Sequence, residues 1–395
     1  MITYAEALQK IESLTPIAAT EILPLAQAAG RELAETLTAT IPSPPFTNSA
    51  MDGFAVRHAD VRTGTVLKIV GAIYARPIDL AELPQAGAGE CVRIMTGGYL
   101  PDWADTVIPV EKAMVDGDSV RFIELPESGA NVRHRGDDLP ADAPLMGPGT
   151  RLNAERLMTL AAFGHAEVKV RAWPRVHLVA TGDELTEPGK PLKPGAIYNS
   201  SRFFLTAATQ ELGLPLATSR TLPDRPREAG QAIQRILNDA GPRLIVSTGA
   251  VSAGDADFIP QLAVEMGFTP LFHKVAMRPG KPIFIAQLGD TVWVGLPGNP
   301  VSTAVGWHHF VHPLVTHWAG LPPPRRVTVR LAHDVHKPEG LTCFFRAETR
   351  DDKAWLPRRQ GSAELAASIN QNVYVELPIG TARLAADTPV AALLI

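Results

Sequence analysis

The sequence predicts a multidomain α/β plus β protein organised around a central open, mostly parallel α/β sheet, and three observations carry that prediction. The chain has 395 residues, so at about 150 residues per domain it divides into two or three domains. From Arg175 onward, short apolar runs alternate with stretches of helical spacing, the pattern of strands joined by crossover helices. Between 46 and 139 the apolar runs are short and broken by Gly, Pro and Asp, with no long helical pattern, which predicts a small β-rich domain.

The elements follow in order. Thr3-x-x-Glu6 forms a capping box, and Tyr4, Leu8, Ile11 and Leu14 recur at helical spacing until Thr15-Pro16 stops the run. A second helical stretch is expected near Pro24 to Glu35. It leads into Ile41-Pro42-Ser43-Pro44-Pro45, where the prolines forbid a helix or a central strand. Strands are expected at Val66 to Ile73, Glu90 to Thr96, Thr106 to Glu111 and Ser119 to Glu124. Asn153 is placed as the N-cap of a helix that runs through Leu157 and Leu160 to Gly164. After Trp173-Pro174 come strand 175–181, helix 200–211, strand 215–219, helix 226–239 and strand 243–248. A further helix, strands near 270–275 and 282–295, and a helix after Pro300 complete the α/β region. Pro322-Pro323-Pro324 opens a last segment of short strands. The resulting boundaries are 42–139, 173–320 and 321–395, with 1–41 and 140–172 left to pair as one discontinuous domain.

Composition narrows the function classes. The chain is 45% hydrophobic and 20% charged, which describes an ordinary globular protein. A formal charge of −4 provides no global basic field, so nucleic-acid binding is not expected and any anion site must be local. Cys91 and Cys343 are far apart and lie in no Cys-x-x-Cys, which argues against a disulfide framework or structural zinc. No apolar run is long enough to span a membrane, and a cytoplasmic location is expected.

In open α/β sheets ligands bind beyond the carboxyl ends of the strands. The strand at 175–181 runs into Thr181-Gly182-Asp183-Glu184-Leu185, where two adjacent carboxylates could bridge a divalent ion to a phosphate. The strand at 243–248 runs into Gly249-Ala250-Val251-Ser252-Ala253-Gly254-Asp255-Ala256-Asp257, small enough for main-chain N–H groups to face an anion. Leu296-Pro297-Gly298-Asn299-Pro300-Val301-Ser302 has prolines fixing φ on either side of Gly-Asn. Between these lie Lys274, Arg278 and Lys281, a cationic strip without adjacent acids, suited to phosphate oxygens. Together these loops predict a phosphate-bearing ligand with a divalent metal. No P-loop signature occurs, and no Gly-x-Gly-x-x-Gly follows an expected strand, so a P-loop ATPase or a nicotinamide dehydrogenase is not expected. His308, His309 and His312 have helical spacing, but they are read as structural, with Trp307 and Phe310 as packing.

Six ordered motifs carry a family resemblance. They are Pro45-Phe46-Thr47-Asn48-Ser49-Ala50-Met51-Asp52-Gly53-Phe54-Ala55, Arg93-Ile94-Met95-Thr96-Gly97, Asn131 to Asp138, Thr181 to Leu185, Pro279-Gly280-Lys281-Pro282, and Leu296 to Pro300. In this order they resemble the MoeA family of molybdopterin molybdenumtransferases, related to the E domain of gephyrin, from the first helix to Gln360-Gly361-Ser362. The resemblance implies insertion of molybdate into the dithiolene of adenylylated molybdopterin, with Mg²⁺-dependent hydrolysis of the adenylyl phosphoanhydride and release of AMP. It implies an elongated homodimer whose cleft draws on both subunits, a discontinuous helix and strand domain, and a C-terminal β-barrel. The molybdopterin adenylyltransferase protein stands as a candidate partner.

By motif, Asp52, Thr96, Arg133 and Asp138 correspond to cleft residues of the β domain. Glu184, Asp224 and Asp257 correspond to acids of the α/β domain, with Glu184 and Asp257 as metal ligands. Lys274, Arg278 and Lys281 correspond to the cationic strip. Thr181, Gly182, Asp183, Gly249, Ser252, Pro297, Gly298, Asn299, Pro300 and Ser302 are expected to contact substrate. Departures from the family pattern are Ala180 for serine, Asn199 for aspartate, Ala250 for glycine, Arg278 for lysine, and Ala347 in place of the glycine of Arg-Gly. Two alternatives remain: a non-catalytic gephyrin-like scaffold, and a related enzyme handling tungstate or another pterin or nucleotide.

Overall fold

The computed structural model describes residues 1–252 and 257–395. Helix α1 (Tyr4–Glu12) forms where the capping box predicts. The Thr3 N–H donates to Glu6 Oε2 at 2.7 Å, and the Glu6 N–H donates to Thr3 Oγ1 at 3.2 Å. No α-helix forms at Pro24 to Glu35. Pro24 has extended ψ, only a short 3₁₀ turn (Leu25–Gln27) follows, and Gly30 at φ +76° breaks any continuation.

The chain divides into two compact units. Residues 22–29 and 33–168 make one of them. Its sheet contains β1 (Gly53–Val56), β2 (Val66–Ile73), β3 (Glu90–Ile94), β4 (Thr106–Pro109), β5 (Ala113–Asp116) and β6 (Ser119–Phe122), in the order β4-β1-β3-β2-β6-β5. Alternate residues of these strands, among them Phe54, Cys91, Ile108 and Phe122, close over one core. The expected strands are each shorter at the carboxyl end where their ranges ran past Ile94, Pro109 and Phe122. Strands β1 and β5 were not anticipated. Helix α2 (Ala154–Ala162) begins at Asn153, whose Oδ1 accepts from the Arg156 N–H at 3.0 Å, and ends before Gly164 at φ +85°.

The other unit comprises 1–21, 30–32 and 169–395. Its α/β part contains β7 (Arg175–Thr181), α3 (Ser200–Glu211), β8 (Leu216–Leu222), α4 (Pro226–Leu237), β9 (Arg243–Thr248), α5 (Ile259–Glu265), β10 (Thr269–His273), β11 (Met277–Arg278), β12 (Phe284–Leu288), β13 (Thr291–Leu296), α6 (Pro300–Gly306) and α7 (His312–Ala319). The main sheet has the order β8-β7-β9-β13-β12-β10. Strands β8, β7, β9 and β13 are mutually parallel, and β12 and β10 are added antiparallel. The expected single strand at 282–295 is therefore a hairpin that turns at Gly289, φ +52°. Tyr4, Ala7 and Ile11 of α1 share a core with Leu314, Val315 and Trp318 of α7, so the first helix packs on the α/β part.

The last segment contains β14 (Arg326–Leu331), β15 (Thr342–Arg350), β16 (Lys353–Trp355), β17 (Val373–Leu377) and β18 (Pro389–Leu394). Their pairing β15-β16-β14-β18-β17 returns to β15 and closes a five-strand barrel around Leu331, Cys343, Ala354, Val375 and Leu377. Strand β11 adds to β15 in parallel, with Met277 opposite Thr342 and Arg278 opposite Cys343. Among the described residues no helix is long and apolar enough to cross a membrane.

Candidate functional site

Three parallel strands deliver three loops to one edge. Ala180 of β7 is in register with Thr248 of β9, and Thr248 with Leu296 of β13. The segments that begin at Thr181, Gly249 and Pro297 therefore leave the sheet side by side. Gly249 has φ +90°, and a methyl group on it would stand 2.6 Å from the Thr181 carbonyl oxygen. Glycine is needed here because two backbones meet. A methyl group on Gly298 would in turn stand 3.6 Å from the Gly249 Cα, so the third loop is in reach of the second.

Asp183, Glu184 and Asp224 gather at the first loop. The Asp183 N–H donates to Asp224 Oδ2 at 3.4 Å, which brings the carboxylate after β8 against those after β7. The Glu184 carbonyl accepts from the Ile197 N–H at 2.9 Å and steadies the turn. Asp183 and Glu184 are exposed, and Asp224 and Asp257 are half-buried. Asp257 and Ser252 flank the second loop; Asp255 lies outside the described residues. Among the described residues no group of three or more His, Cys, Asp and Glu is arranged to hold a metal by itself. A divalent ion at Glu184 and Asp257 would need oxygens from a ligand, as Mg²⁺ commonly takes from substrate phosphates.

The third loop is braced from two sides. Thr303 Oγ1 donates to the Pro297 carbonyl at 2.8 Å, and Ser201 Oγ of α3 donates to the Gly298 carbonyl at 3.4 Å. From the barrel segment, the Ser362 carbonyl accepts from the Val301 N–H at 3.3 Å, and Ser362 Oγ accepts from Asn299 Nδ2 at 3.1 Å. Ser362 is itself held by the buried Arg346, whose guanidinium donates to the Gly361 and Glu364 carbonyls. The motif reading cited Ser362 only as the end of the resemblance and assigned no role to Ser201. The signal available for Ser362 was the Gln360-Gly361-Ser362 tripeptide; for Ser201 there was none.

The cations lie on the segment that joins β10 to β12. The Val275 N–H donates to the Lys281 carbonyl at 2.9 Å, which closes Lys274 to Lys281 into one loop. A methyl group on Gly280 would stand 3.8 Å from the Ser302 carbonyl, so this loop lies against the start of α6. Lys274, Arg278 and Lys281 enter no salt bridge among the described residues. Uncompensated cations so grouped favour a polyanion.

In the other unit, the Thr96 N–H and Oγ1 both donate to Asp52 Oδ1 at 2.7 Å. These two bonds, aided by Arg93, hold the Asp52 carboxyl below its ordinary pKa. The Gly97 N–H donates to the Ser49 carbonyl at 2.8 Å and the Ala50 N–H to the Asn131 carbonyl at 2.9 Å, while Arg133 pairs with Asn48 across a two-residue ladder. The Asp138 N–H donates to the Ser43 carbonyl at 2.9 Å. The segments carrying Asp52, Thr96, Arg133 and Asp138 are thus tied together within this unit.

Residues 2–164 match the MoeA N-terminal region (domain I and II), and residues 177–317 match a probable molybdopterin binding domain. The molybdopterin molybdenumtransferase of Synechococcus elongatus is 36% identical over 389 residues, which cover 94% of each chain. That of Bacillus subtilis is 31% identical and covers 100% of this chain and 94% of its own. A solved structure of a molybdopterin biosynthesis MoeA protein from Pyrococcus horikoshii superposes with a TM-score of 0.80 at 28% identity, covering 100% of this chain and 99% of that one. The class is therefore a MoeA-like fold, mixed α/β with a closed five-strand barrel. The chain belongs to the family of molybdopterin molybdenumtransferases, which are transferases of molybdenum cofactor biosynthesis.

Proposed function

We propose that this protein inserts molybdate into the dithiolene of adenylylated molybdopterin, with Mg²⁺-dependent hydrolysis of the adenylyl phosphoanhydride. Hydrolysis takes up one water and releases AMP, while the dithiolene sulfurs displace oxide from molybdate, which leaves as water with the thiol protons, giving molybdenum cofactor. The convergence of acid and cation loops on one edge of the parallel sheet carries the reading. Lys274, Arg278 and Lys281 bind molybdate and phosphate oxygens by charge-assisted hydrogen bonds. The Thr181–Asp183, Gly249–Ser252 and Pro297–Ser302 backbones shape the cradle, and Asp224 orients the first loop through the Asp183 amide. In the β-rich unit, Asp52, Thr96, Arg133 and Asp138 are candidate substrate-binding residues by their match to the family motifs. Glu184 and Asp257 would hold Mg²⁺. Their carboxylate oxygens fit a hard ion that completes its shell with phosphate and water. Bound there, the ion would supply charge neutralisation at the phosphoanhydride.

The protein works as a cytoplasmic homodimer that receives its substrate from the molybdopterin adenylyltransferase protein. Purified protein given adenylylated molybdopterin, Mg²⁺ and molybdate should release AMP and yield active cofactor. AMP release that does not depend on molybdate would overturn the reading. Preferential insertion of tungstate would assign the chain to a related enzyme.

A further inference from the structure

A cavity of 170 Å³ lies between the sheet and α4, at β7 and β8. His177 of β7 lines it and is fully buried. Its Nδ1 meets Thr218 Oγ1 at 3.1 Å, but its Nε2 has no hydrogen-bond partner, and Asp239 Oδ2 stands 3.8 Å away. A buried ring nitrogen left this way is costly unless something entering the cavity meets it. Desolvation, opposed by Asp239, holds the imidazole below its ordinary pKa, so it is neutral at pH 7.

The rest of the lining is divided by chemistry. Val179, Ala232 and Ile236 form an apolar wall. Arg220 of β8 and Arg235 of α4 stand on the exposed side, and neither makes a salt bridge among the described residues. Two guanidinium groups beside one carboxylate leave the lining net positive. None of these residues belongs to the acid, proline or cation loops described above.

We propose that this pocket is an accessory binding site for a small organic anion about the size of a single ring. Its carboxylate or phosphate head sits on Arg220 and Arg235, its body lies on Val179, Ala232 and Ile236, and its inner end reaches His177. The volume suits such a body, because an apolar cavity of about 150 Å³ accommodates benzene.

Saturation-transfer NMR on the full chain with benzoate as probe tests this site. Benzoate should bind saturably at millimolar concentration. Arg220→Ala and Arg235→Ala should each weaken it about tenfold, the loss of one charge-assisted contact. Arg227→Ala, an exposed change on α4 outside the lining, should leave binding unchanged, and Ala232→Leu should abolish it by filling the cavity. Both arginines are exposed, and unchanged melting temperatures would confirm that their variants fold. The site is refuted if benzoate does not saturate, if Arg227→Ala weakens it as much as Arg235→Ala does, or if benzamidine, the same ring with a cationic head, binds equally well.

Discussion

Gly249 is the residue on which the sheet edge depends most sharply, because its missing side chain lets the loop after β9 touch Thr181. Gly249→Ala should cost about 2 to 3 kcal/mol, combining a positive φ with a backbone clash, as measured by urea unfolding. Its neighbour Ala250 occupies φ +52°, where an L-residue pays a conformational penalty that glycine avoids. Ala250→Gly should therefore stabilise the protein by about 0.5 to 1 kcal/mol, the left-handed penalty less the entropy glycine loses on folding. Unchanged or lower stability would show that Ala250 is unstrained. Lys281→Ala should reduce kcat/KM roughly tenfold to a hundredfold by removing a charge-assisted contact. At this scale the three loops were legible from the strands that precede them: the segments from Thr181, Gly249 and Pro297 leave β7, β9 and β13 side by side. Ser201 and Arg346 were not legible as braces, because each acts on a backbone carbonyl of another segment, Ser201 on Gly298 and Arg346 on Gly361, that its own sequence does not mark.

Elements were readable where local chemistry decides them. Helix α1 has its capping box, α2 its Asn153 cap, and β7 and β9 their uninterrupted apolar runs. Reading failed where a single glycine turn breaks a helical composition or a short strand hides inside a motif. Pro24 to Glu35 has helical composition, yet Gly30 and the extended Pro24 break it. Strand β1 is only four residues long and sits inside a segment read as a functional motif, although all four are buried in the sheet. Helix α3 shows how a departure can be absorbed. Asn199 Oδ1 caps it by accepting from the Arg202 N–H at 3.1 Å, while Nδ2 donates to Thr221 Oγ1 at 3.0 Å. An aspartate could make the first bond but has no N–H for the second. Asn199→Ala should cost about 1 to 2 kcal/mol in thermal or urea unfolding. A loss below about 0.5 kcal/mol would deny the cap its role, since capping side chains are typically worth more than that.

For the whole molecule, the order of β-rich, α/β and barrel segments followed from proline junctions and periodicity, but barrel closure did not, because five short strands carry no sequence mark of which pairs with which. The buried aromatic layer also gives the molecule an acid limit. Burial pushes His308 down to about 4 and holds His309 well below its ordinary value. Both folded-state values lie below the unfolded one, so the unfolded chain binds more protons between pH 6.5 and about 4, and stability must fall as pH drops through that window. Each histidine contributes a slope approaching about 1.4 kcal/mol per pH unit where the unfolded ring is protonated and the folded one is not. Urea midpoints measured from pH 7 to 5 should decline, and His308→Phe should flatten part of that decline. The central claim is that acids and cations on one sheet edge act on a single metal-bridged substrate. It is tested most directly by a crystal structure of the protein with adenylylated molybdopterin, Mg²⁺ and molybdate. The account predicts Mg²⁺ between a phosphate oxygen and Glu184 or Asp257, with Lys274, Arg278 and Lys281 on the oxyanions; a substrate bound elsewhere, with these side chains facing open solvent, would contradict it.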